Sequence, residues 1–207
     1  MKAAVFFATR EGHTCRIAER IAADLRGRGV EVDLQNVREA RPSIPWNTYD
    51  AVCVAASVHV GHHEPEMIAF VRAHRDELVK KSAAFVSVSL SQAGAQDAHA
   101  SPEQRSRSAE DVKQMISTFV RKTGWQPAHV LPVAGALLYR QYNFLIRFVM
   151  KLIARKAGAP TDTSRNYEFT DWNALDQFVE VTLSTLPSGS LNQATRTAVP
   201  GTARMPS

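Results

Sequence analysis

Five short β-rich runs alternate along this chain with segments of helical periodicity. The helical segments repeat apolar side chains every three or four positions and lie at residues 14–26, 65–80 and 103–122. The β-rich runs occupy residues 2–8, 30–37, 49–58, 83–90 and 129–137. Strands separated by helices pair in parallel, because each helix carries the chain back across one face of the sheet. The alternation therefore predicts an α/β fold with a doubly wound, five-stranded parallel sheet.

The composition of single runs indicates where each strand lies in that sheet. The run at 49–58 is apolar throughout, which is typical of a central parallel strand. The run at 30–37 alternates apolar and polar residues, as a half-exposed edge strand does. For five strands the flavodoxin-like order 2-1-3-4-5 is the natural arrangement, and such sheets bind ligands beyond the carboxyl ends of their strands. The loops after the first, third and fourth runs are therefore the predicted site.

The length of 207 residues suits one domain, expected over residues 1–186. Residues 187–207 have no periodicity and few large apolar groups, so we expect a disordered tail there. The start of the chain lacks the pattern of a secretory signal, and no apolar run is long enough to span a membrane. The two cysteines, Cys15 and Cys53, have no zinc-type spacing, and we expect both to be reduced in the cytoplasm.

The loop after the first run has the composition of an anion-binding turn. It consists of Thr9, Arg10, Glu11, Gly12, His13 and Thr14, and a helical pattern follows at once. Free N–H groups at a helix start favour an anion, hydroxyls can add donors, and glycine permits close approach of the backbone. A P-loop lysine and a dinucleotide glycine motif are both absent, which leaves a single monophosphate such as that of FMN. The alternative is a plain strand–helix turn with a threonine cap.

Two further loops could frame the ring of a flavin. After the third run, Ser57, Val58, His59, Val60 and Gly61 offer an apolar wall, backbone groups and a glycine where chain and ring approach. The end of the fourth run offers hydroxyl and backbone groups for the polar edge of the ring, from Ser87, Ser89, Leu90 and Ser91. We expect the stretch that follows, residues 91–102, to be a loop. Loops of this composition are common, so they indicate a flavin site only in combination with the anion-binding turn.

Three histidines, His59, His62 and His63, lie close together after the third run. A metal site is one interpretation, but no supporting acid or cysteine has the spacing of a ligand set, so we predict no metal. Exposed surface histidines are the second interpretation. The third is a role in moving protons or contacting an anion, which the near-neutral pKa of imidazole permits.

The basic excess of the chain lies in one segment. Residues 112–161 contain eight lysines and arginines and no acid, and within them Arg147, Lys151 and Arg155 recur every four residues. Apolar side chains cover most of the remaining circumference of this predicted helix. Such a helix packs into a groove, for example in a homo-oligomer, or lies in a membrane interface with its cations at the headgroups. Nucleic-acid binding is not expected, because polar side chains that read bases do not accompany the cations.

Together these segments resemble the flavodoxin-like, menaquinone-dependent protoporphyrinogen IX dehydrogenases of bacteria. Three of the segments that carry the resemblance occur in flavodoxins generally: "ATREGHT" (8–14), "YDAVCVAASVHVGHH" (49–63) and "AFVSVSL" (84–90). Three others are more specific: "VAGALLYRQY" (133–142), "IRFVMKLI" (146–153) and "TDTSRNYEFTDW" (161–172). The resemblance covers residues 1–186. It implies that residues 140–166 are an insertion that splits the last strand, which resumes at 167–170, with a closing helix from about Asp171.

The resemblance also implies a function. A member of this family holds FMN noncovalently, oxidises protoporphyrinogen IX for haem synthesis and passes the electrons to a membrane quinone. It would contact the cytoplasmic face of the inner membrane peripherally. By this likeness residues 9–14 hold the phosphate, and residues 57–61 and 87–91 frame the ring. We expect proton transfer to fall to the substrate, to solvent or to a histidine such as His62. The expected contacts to substrate or membrane are Arg140, Arg147, Lys151 and Arg155.

His59 departs from the arginine of enterobacterial members, and the loop 91–104 differs from their more basic one. These departures bear on substrate specificity. Two other functions remain open at this point. One is a generic FMN-dependent NAD(P)H:quinone reductase of the same fold, and the other is a flavodoxin-type electron carrier. Such carriers are usually acidic, so the basic segment at 112–161 favours an enzyme.

Overall fold

The computed structural model describes residues 1–39, 43–141 and 161–184. Its strands, in chain order, are β1 (Lys2–Ala8), β2 (Glu31–Asn36), β3 (Ala51–His59), β4 (His62–His63), β5 (Ser82–Ser89), β6 (His129–Ala134), β7 (Ala136–Leu137) and β8 (Tyr167–Glu168). Five of them pair in parallel in the order β2-β1-β3-β5-β6. This is the doubly wound sheet and the strand order that the sequence predicts. The central strands β1, β3 and β5 are buried along almost their whole length.

Helices cover both faces of the sheet. They are α1 (His13–Gly27), α2 (Pro65–Ala73), α3 (Arg75–Leu78), α4 (Leu90–Gln96), α5 (Pro102–Thr123) and α6 (Trp172–Ser184), with 3₁₀ turns at Trp46–Thr48 and Tyr139–Gln141. On one face Ile17 of α1 and Leu175 of α6 pack against the sheet. On the other face Met67 of α2 and Phe119 of α5 do so. The expected closing helix near Asp171 is confirmed as α6.

Two helical predictions need correction. The segment 65–80 is not one helix, because α2 ends at Ala73 and α3 begins at Arg75 after His74. The expected loop at 91–102 contains the helix α4. The Ser89 hydroxyl caps this helix by accepting a hydrogen bond of 3.1 Å from the backbone N–H of Gln92. A serine followed three residues later by a glutamine is a helix-start signal, and the small residues that follow obscured it.

The fifth run does not form one continuous strand. It divides at Gly135 into β6, which belongs to the main sheet, and β7, which pairs antiparallel with β8. The predicted resumption of the last strand at 167–170 is present over Tyr167–Glu168, but in this separate two-stranded sheet. The central part of the basic insertion, the stripe residues Arg147, Lys151 and Arg155, and the expected tail at 187–207 lie outside the described residues.

Candidate functional site

An open cleft lies at the carboxyl ends of β1, β3 and β5, where the sheet topology predicts a ligand. Nine of the residues predicted to bind a cofactor line it: Thr9, Glu11, His13, Thr14, Ser57, Val58, His59, Ser89 and Leu90. The other three lining residues are Val88, which lies within the predicted range 87–91, and Gly135 and Ala136, which sequence reasoning missed. The last two lie where β6 gives way to β7, a break that the apolar run 129–137 does not reveal.

The loop between β1 and α1 has the geometry of an anion cradle. Gly12 precedes α1 with φ +86°, a left-handed conformation that other residues adopt only at a cost. Its N–H donates a hydrogen bond of 3.0 Å to Oγ1 of Thr9, which folds the loop back over the helix start. The first turn of a helix leaves N–H groups without acceptors inside the helix, and the helix dipole adds positive potential there. This end of α1 can therefore receive an anionic group.

His13, the first residue of α1, contributes a buried ring nitrogen to this region. Its Nε2 lies 2.7 Å from the Thr170 hydroxyl, which itself donates to the carbonyl oxygen of Ala134 at 2.7 Å. The threonine oxygen must therefore accept from Nε2–H. Burial lowers the pKa of His13, so the ring is neutral. Its Nδ1 is buried without a hydrogen-bond partner in the described part of the chain, and a bound ligand could supply one.

The loop between β3 and β4 is a tight two-residue hairpin. His59 pairs with His62 across it, so Val60 and Gly61 form the turn, with φ of +49° and +76°. Two-residue hairpins favour such angles, but a β-branched side chain rarely adopts them. Val60 is also 83% exposed. A strained and exposed apolar residue next to His59, which lines the cleft, indicates a binding role rather than a stabilising turn.

Glu64 joins the two loops beside the cleft, and sequence reasoning did not single it out. Its side chain is fully buried. One carboxylate oxygen accepts from Nε of Arg10 at 3.0 Å, and the other accepts from the Ser57 hydroxyl at 3.1 Å. That second oxygen also lies 3.0 Å from Nε2 of His59. The only signal in the sequence was an acid beside three histidines, directly before a helix that starts at a proline.

His59 lies between two carboxylates, because Oε2 of Glu11 is also 3.0 Å from its Nε2. Within the described residues these contacts are ion pairs, since neither carboxylate is placed to accept a hydrogen bond from Nε2–H. Burial by itself lowers the pKa of His59, but the two carboxylates outweigh it and raise the pKa to about 9. Burial likewise opposes ionisation of Glu64, yet His59 and Arg10 hold its pKa at about 2. At neutral pH this cluster therefore consists of two carboxylates, an imidazolium and a guanidinium.

The remaining predicted residues have different positions. His62 is exposed on β4, whereas His63 is buried, with Nε2 2.8 Å from the Ser87 hydroxyl. The Ser87 side chain thus contacts His63 and does not line the cleft. Ser91 is half-buried on α4, and Gly61 is exposed. Among the residues that the structure describes, no group of three His, Cys, Asp or Glu side chains could hold a metal ion.

A second cleft, of about 790 Å³, adjoins the first at Glu11. Its other walls are Gly12, Arg16, Leu138, Asn166 and Glu168. The Arg16 guanidinium lies 2.7 Å from Glu168, which also accepts from the Trp172 indole N–H at 2.8 Å. The exposed Arg140 donates its backbone N–H to Oδ1 of Asn166 at 3.0 Å. The segment after the insertion is therefore fixed against the start of α1, at the edge of both clefts.

Comparison with known proteins relates this geometry to a family. The flavodoxin domain model matches residues 4–164. The protoporphyrinogen IX dehydrogenase [quinone] of Escherichia coli strain K12 is 32% identical over 178 residues, which are 86% of this chain and 92% of that protein. The chain belongs to the flavodoxin-domain protoporphyrinogen IX dehydrogenase family. The protein of the same name from Leishmania major is 29% identical over 86% of this chain and 72% of its own length.

Among solved structures, a short-chain flavodoxin associated with a non-canonical PDU bacterial microcompartment superposes with a TM-score of 0.52. The match covers 90% of this chain and 99% of that flavodoxin, at 15% identity. At this identity the likeness shows the fold alone. It agrees with the strand order, and the recognition of the family rests on the closer relatives.

Proposed function

We propose that this protein binds FMN in the cleft at the carboxyl ends of β1, β3 and β5 and oxidises protoporphyrinogen IX, with a quinone as electron acceptor. The observation that carries the proposal is the anion cradle at Thr9–Thr14 in a chain that matches 92% of the length of a dehydrogenase with this activity in its name. When bound, the flavin supplies the two-electron chemistry, and the protein supplies position and electrostatics.

The residues present fit such a cofactor. The start of α1 receives the phosphate on backbone N–H groups, with the hydroxyls of Thr9 and Thr14 beside them. Val58 of the hairpin offers apolar surface, and backbone groups around Ser89 and Leu90 offer polar contacts for the edge of the ring. The unpartnered Nδ1 of His13 is a buried polar atom that a ligand would satisfy.

The substrate is a large apolar ring with acidic side groups, and the adjoining cleft gives it space beside the cofactor. Arg140 is exposed at the edge of that region and could pair with an acid of the substrate. His62, exposed on the hairpin, remains our candidate for accepting a proton from the substrate. These assignments include no dedicated acid–base pair at the cleft. The described carboxylates there form ion pairs with His59 and Arg10.

The test is turnover of the FMN-loaded protein under anaerobic conditions with protoporphyrinogen IX and a short-chain quinone, followed by porphyrin fluorescence. We expect porphyrin formation that depends on both the protein and the quinone. FMN without protein is the control for uncatalysed oxidation. Turnover with NADPH and none with protoporphyrinogen would instead indicate a generic quinone reductase. Electron exchange with a reductase partner alone would indicate a flavodoxin-type carrier.

We further propose that the protein meets its quinone at the cytoplasmic face of a membrane, through Arg140, Arg147, Lys151 and Arg155. Within the described residues, no helix is both long and apolar enough to cross a bilayer. A basic, apolar segment can instead lie at an anionic lipid surface. The test is co-sedimentation with anionic vesicles, in which an Arg147→Glu/Lys151→Glu variant should bind less. A Lys80→Glu/Lys81→Glu variant is the matched control, and equal binding by all three proteins would contradict the proposal.

A further inference from the structure

The most unusual feature near the cleft is a buried carboxylate with three different partners. Both oxygens of Glu64 are used: Oε2 by Arg10, and Oε1 by Ser57 and His59, at distances of 3.0 to 3.1 Å. Removing a charge of this kind from water is costly unless cations and hydrogen bonds replace the water. The Arg10 side chain is half exposed and Glu64 is fully buried, so the cluster extends from the surface into the protein.

The partners of Glu64 belong to separate elements. Arg10 lies in the loop between β1 and α1, whereas Ser57 and His59 form the end of β3. Glu64 itself lies between β4 and α2, and its N–H donates to the carbonyl oxygen of Ser57 at 3.1 Å. One carboxylate thus connects the anion cradle with the hairpin on the other side of the cleft. A group so connected can fix where the side chains of the hairpin lie.

His59 is the cationic member of the cluster that lines the cleft, with 24% of its side chain exposed. Both ion pairs with carboxylates fall on Nε2 of the ring. The charged and titratable groups around it are Glu11 from the cradle, Glu64 from the start of α2, Arg10 behind Glu64, and His62 opposite on β4. The two nearest groups are both anions.

We propose that Glu64 is a positioning residue that holds His59 in the cleft as a cation, and that this cation favours the reduced form of a flavin bound there. The effect on the flavin rests on the proposed binding of FMN, whereas the positioning of His59 by Glu64 does not. Two-electron reduction adds negative charge to a flavin, and a nearby positive charge stabilises the more negative form. Arg10 is not an equivalent cation, because its guanidinium faces Glu64 and is absent from the lining of the cleft.

The ionisation of His59 can be measured without any cofactor, by NMR titration of its imidazole in the apo-protein. We expect a pKa of about 9, well above the 6.5 of an ordinary histidine. In Glu64→Gln we expect this pKa to fall by at least about one unit, since one of two adjacent carboxylates is lost. Glu66→Gln is the matched control: it makes the same change two residues away, where the carboxylate lies 3.4 Å from Arg38. This control should leave the pKa of His59 unchanged.

An ordinary pKa for His59 in the unsubstituted protein, or an equal fall in both glutamine variants, would overturn the positioning role. Neither outcome bears on whether the protein binds FMN. Glu64→Gln retains the shape of the side chain, but its single carbonyl oxygen can accept from only one of Arg10 and Ser57, which donate to different oxygens of Glu64. Should it nevertheless fail to fold, Glu11→Gln removes the other carboxylate at His59 from a partly exposed position, and should lower the same pKa.

The effect on a bound flavin is measured by anaerobic redox titration of the FMN-loaded protein as a function of pH. In His59→Gln at pH 7 we expect the ratio of reduced to oxidised flavin at a fixed potential to fall about tenfold, or about 30 mV for a two-electron couple. His59→Arg keeps a cation at all accessible pH values. In the unsubstituted protein, the plot of potential against pH should change slope near pH 9, where His59 loses its proton. His59→Arg should retain the potential and abolish this change of slope, whereas Glu64→Gln should move it to lower pH.

Equal potentials for His59→Gln, His59→Arg and the unsubstituted protein would overturn the tuning role, while FMN binding and turnover would stand. If the unsubstituted protein did not bind FMN, that result would instead contradict the proposed function. In that case the NMR titration still decides whether Glu64 holds His59 as a cation.

Discussion

The Nε nitrogen of Arg10 lies 3.0 Å from Oε2 of Glu64, and this pair links the loop before α1 to the residue before α2. Glu64 is fully buried, and the Arg10 side chain is half exposed. Solvent around the half-exposed Arg10 screens the attraction between the two charges. The buried carboxylate still needs a charged partner, because water does not reach it. The pair therefore connects the cradle to the hairpin more firmly than a surface ion pair would.

Replacing Arg10 by glutamine should lower the free energy of unfolding by about 1 kcal/mol, because Glu64 loses one charged donor and keeps two other partners. Denaturant unfolding of the apo-protein measures this. Arg20→Gln breaks an exposed bidentate pair with Asp176 at 2.7 and 3.0 Å and should cost less. If Arg20→Gln lowered the free energy of unfolding more than Arg10→Gln does, the buried carboxylate would not make its ion pair stronger than a surface pair.

Replacing Gly12 by alanine should weaken FMN binding. Nothing lies within 4 Å of the added Cβ, so the cost comes from the φ of +86°, about 1 kcal/mol. Gly29→Ala is a matched control, since Gly29 has a φ of +81° and equally open space at the far end of α1. Both variants should lose similar stability, and only Gly12→Ala should raise the dissociation constant for FMN in a fluorescence titration. Equal effects on FMN binding would argue against the cradle.

Replacing Val60 by glycine should stabilise the apo-protein by about 1 kcal/mol, because glycine relieves the positive φ of this β-branched residue. Val79→Gly is the control, because Val79 is 64% exposed but has a helical φ of −64°. It should be destabilising in thermal unfolding. If Val60→Gly destabilised the apo-protein, the turn would not be strained.

The stability of the fold should fall in acid partly because of His63. Burial, helped slightly by His62, lowers the pKa of His63 to about 4. The unfolded chain therefore binds this proton more readily than the folded one. Its contribution of about 2–3 kcal/mol is complete above pH 6.5 and is lost as the pH falls through about 4. Urea unfolding from pH 7 to 4 should show a shallower loss for His63→Gln than for the unsubstituted protein.

His62→Gln is the control for that measurement. It removes only the smaller, electrostatic contribution to the pKa of His63, so most of the loss of stability between pH 6.5 and 4 should remain. An unchanged pH dependence in His63→Gln would mean that other groups account for the acid sensitivity.

The sheet and the position of the cleft could be predicted because both follow from regularities of the backbone. The apolar run at 49–58 could only be a central strand, and parallel strands bring their carboxyl ends to one edge. The β3 strand and the lining residues Ser57, Val58 and His59 agree with that reasoning. What the sequence could not show is the direction of each side chain. Ser87 was expected at the ring, but its hydroxyl contacts the buried His63.

Glu64 was missed for a related reason. A single glutamate before Pro65 has the pattern of an exposed residue at a helix start, and acids there are common. Its burial depends on three partners, Arg10, Ser57 and His59, which only the tertiary fold brings within reach. The hydrogen bond of His13 also depends on the tertiary fold, because its partner Thr170 is 157 residues away. Contacts of this length have no local signature.

The central claim is that a flavin in this cleft accepts electrons from protoporphyrinogen. The most direct measurement is a single turnover in which the FMN-loaded protein is mixed anaerobically with protoporphyrinogen IX, without quinone, and the flavin absorbance near 450 nm is followed. We predict that the absorbance bleaches, that one porphyrin forms for every three flavins reduced because the oxidation removes three electron pairs, and that the absorbance recovers when a quinone is added. Porphyrin formation without bleaching, or no reaction while FMN remains bound, would contradict it.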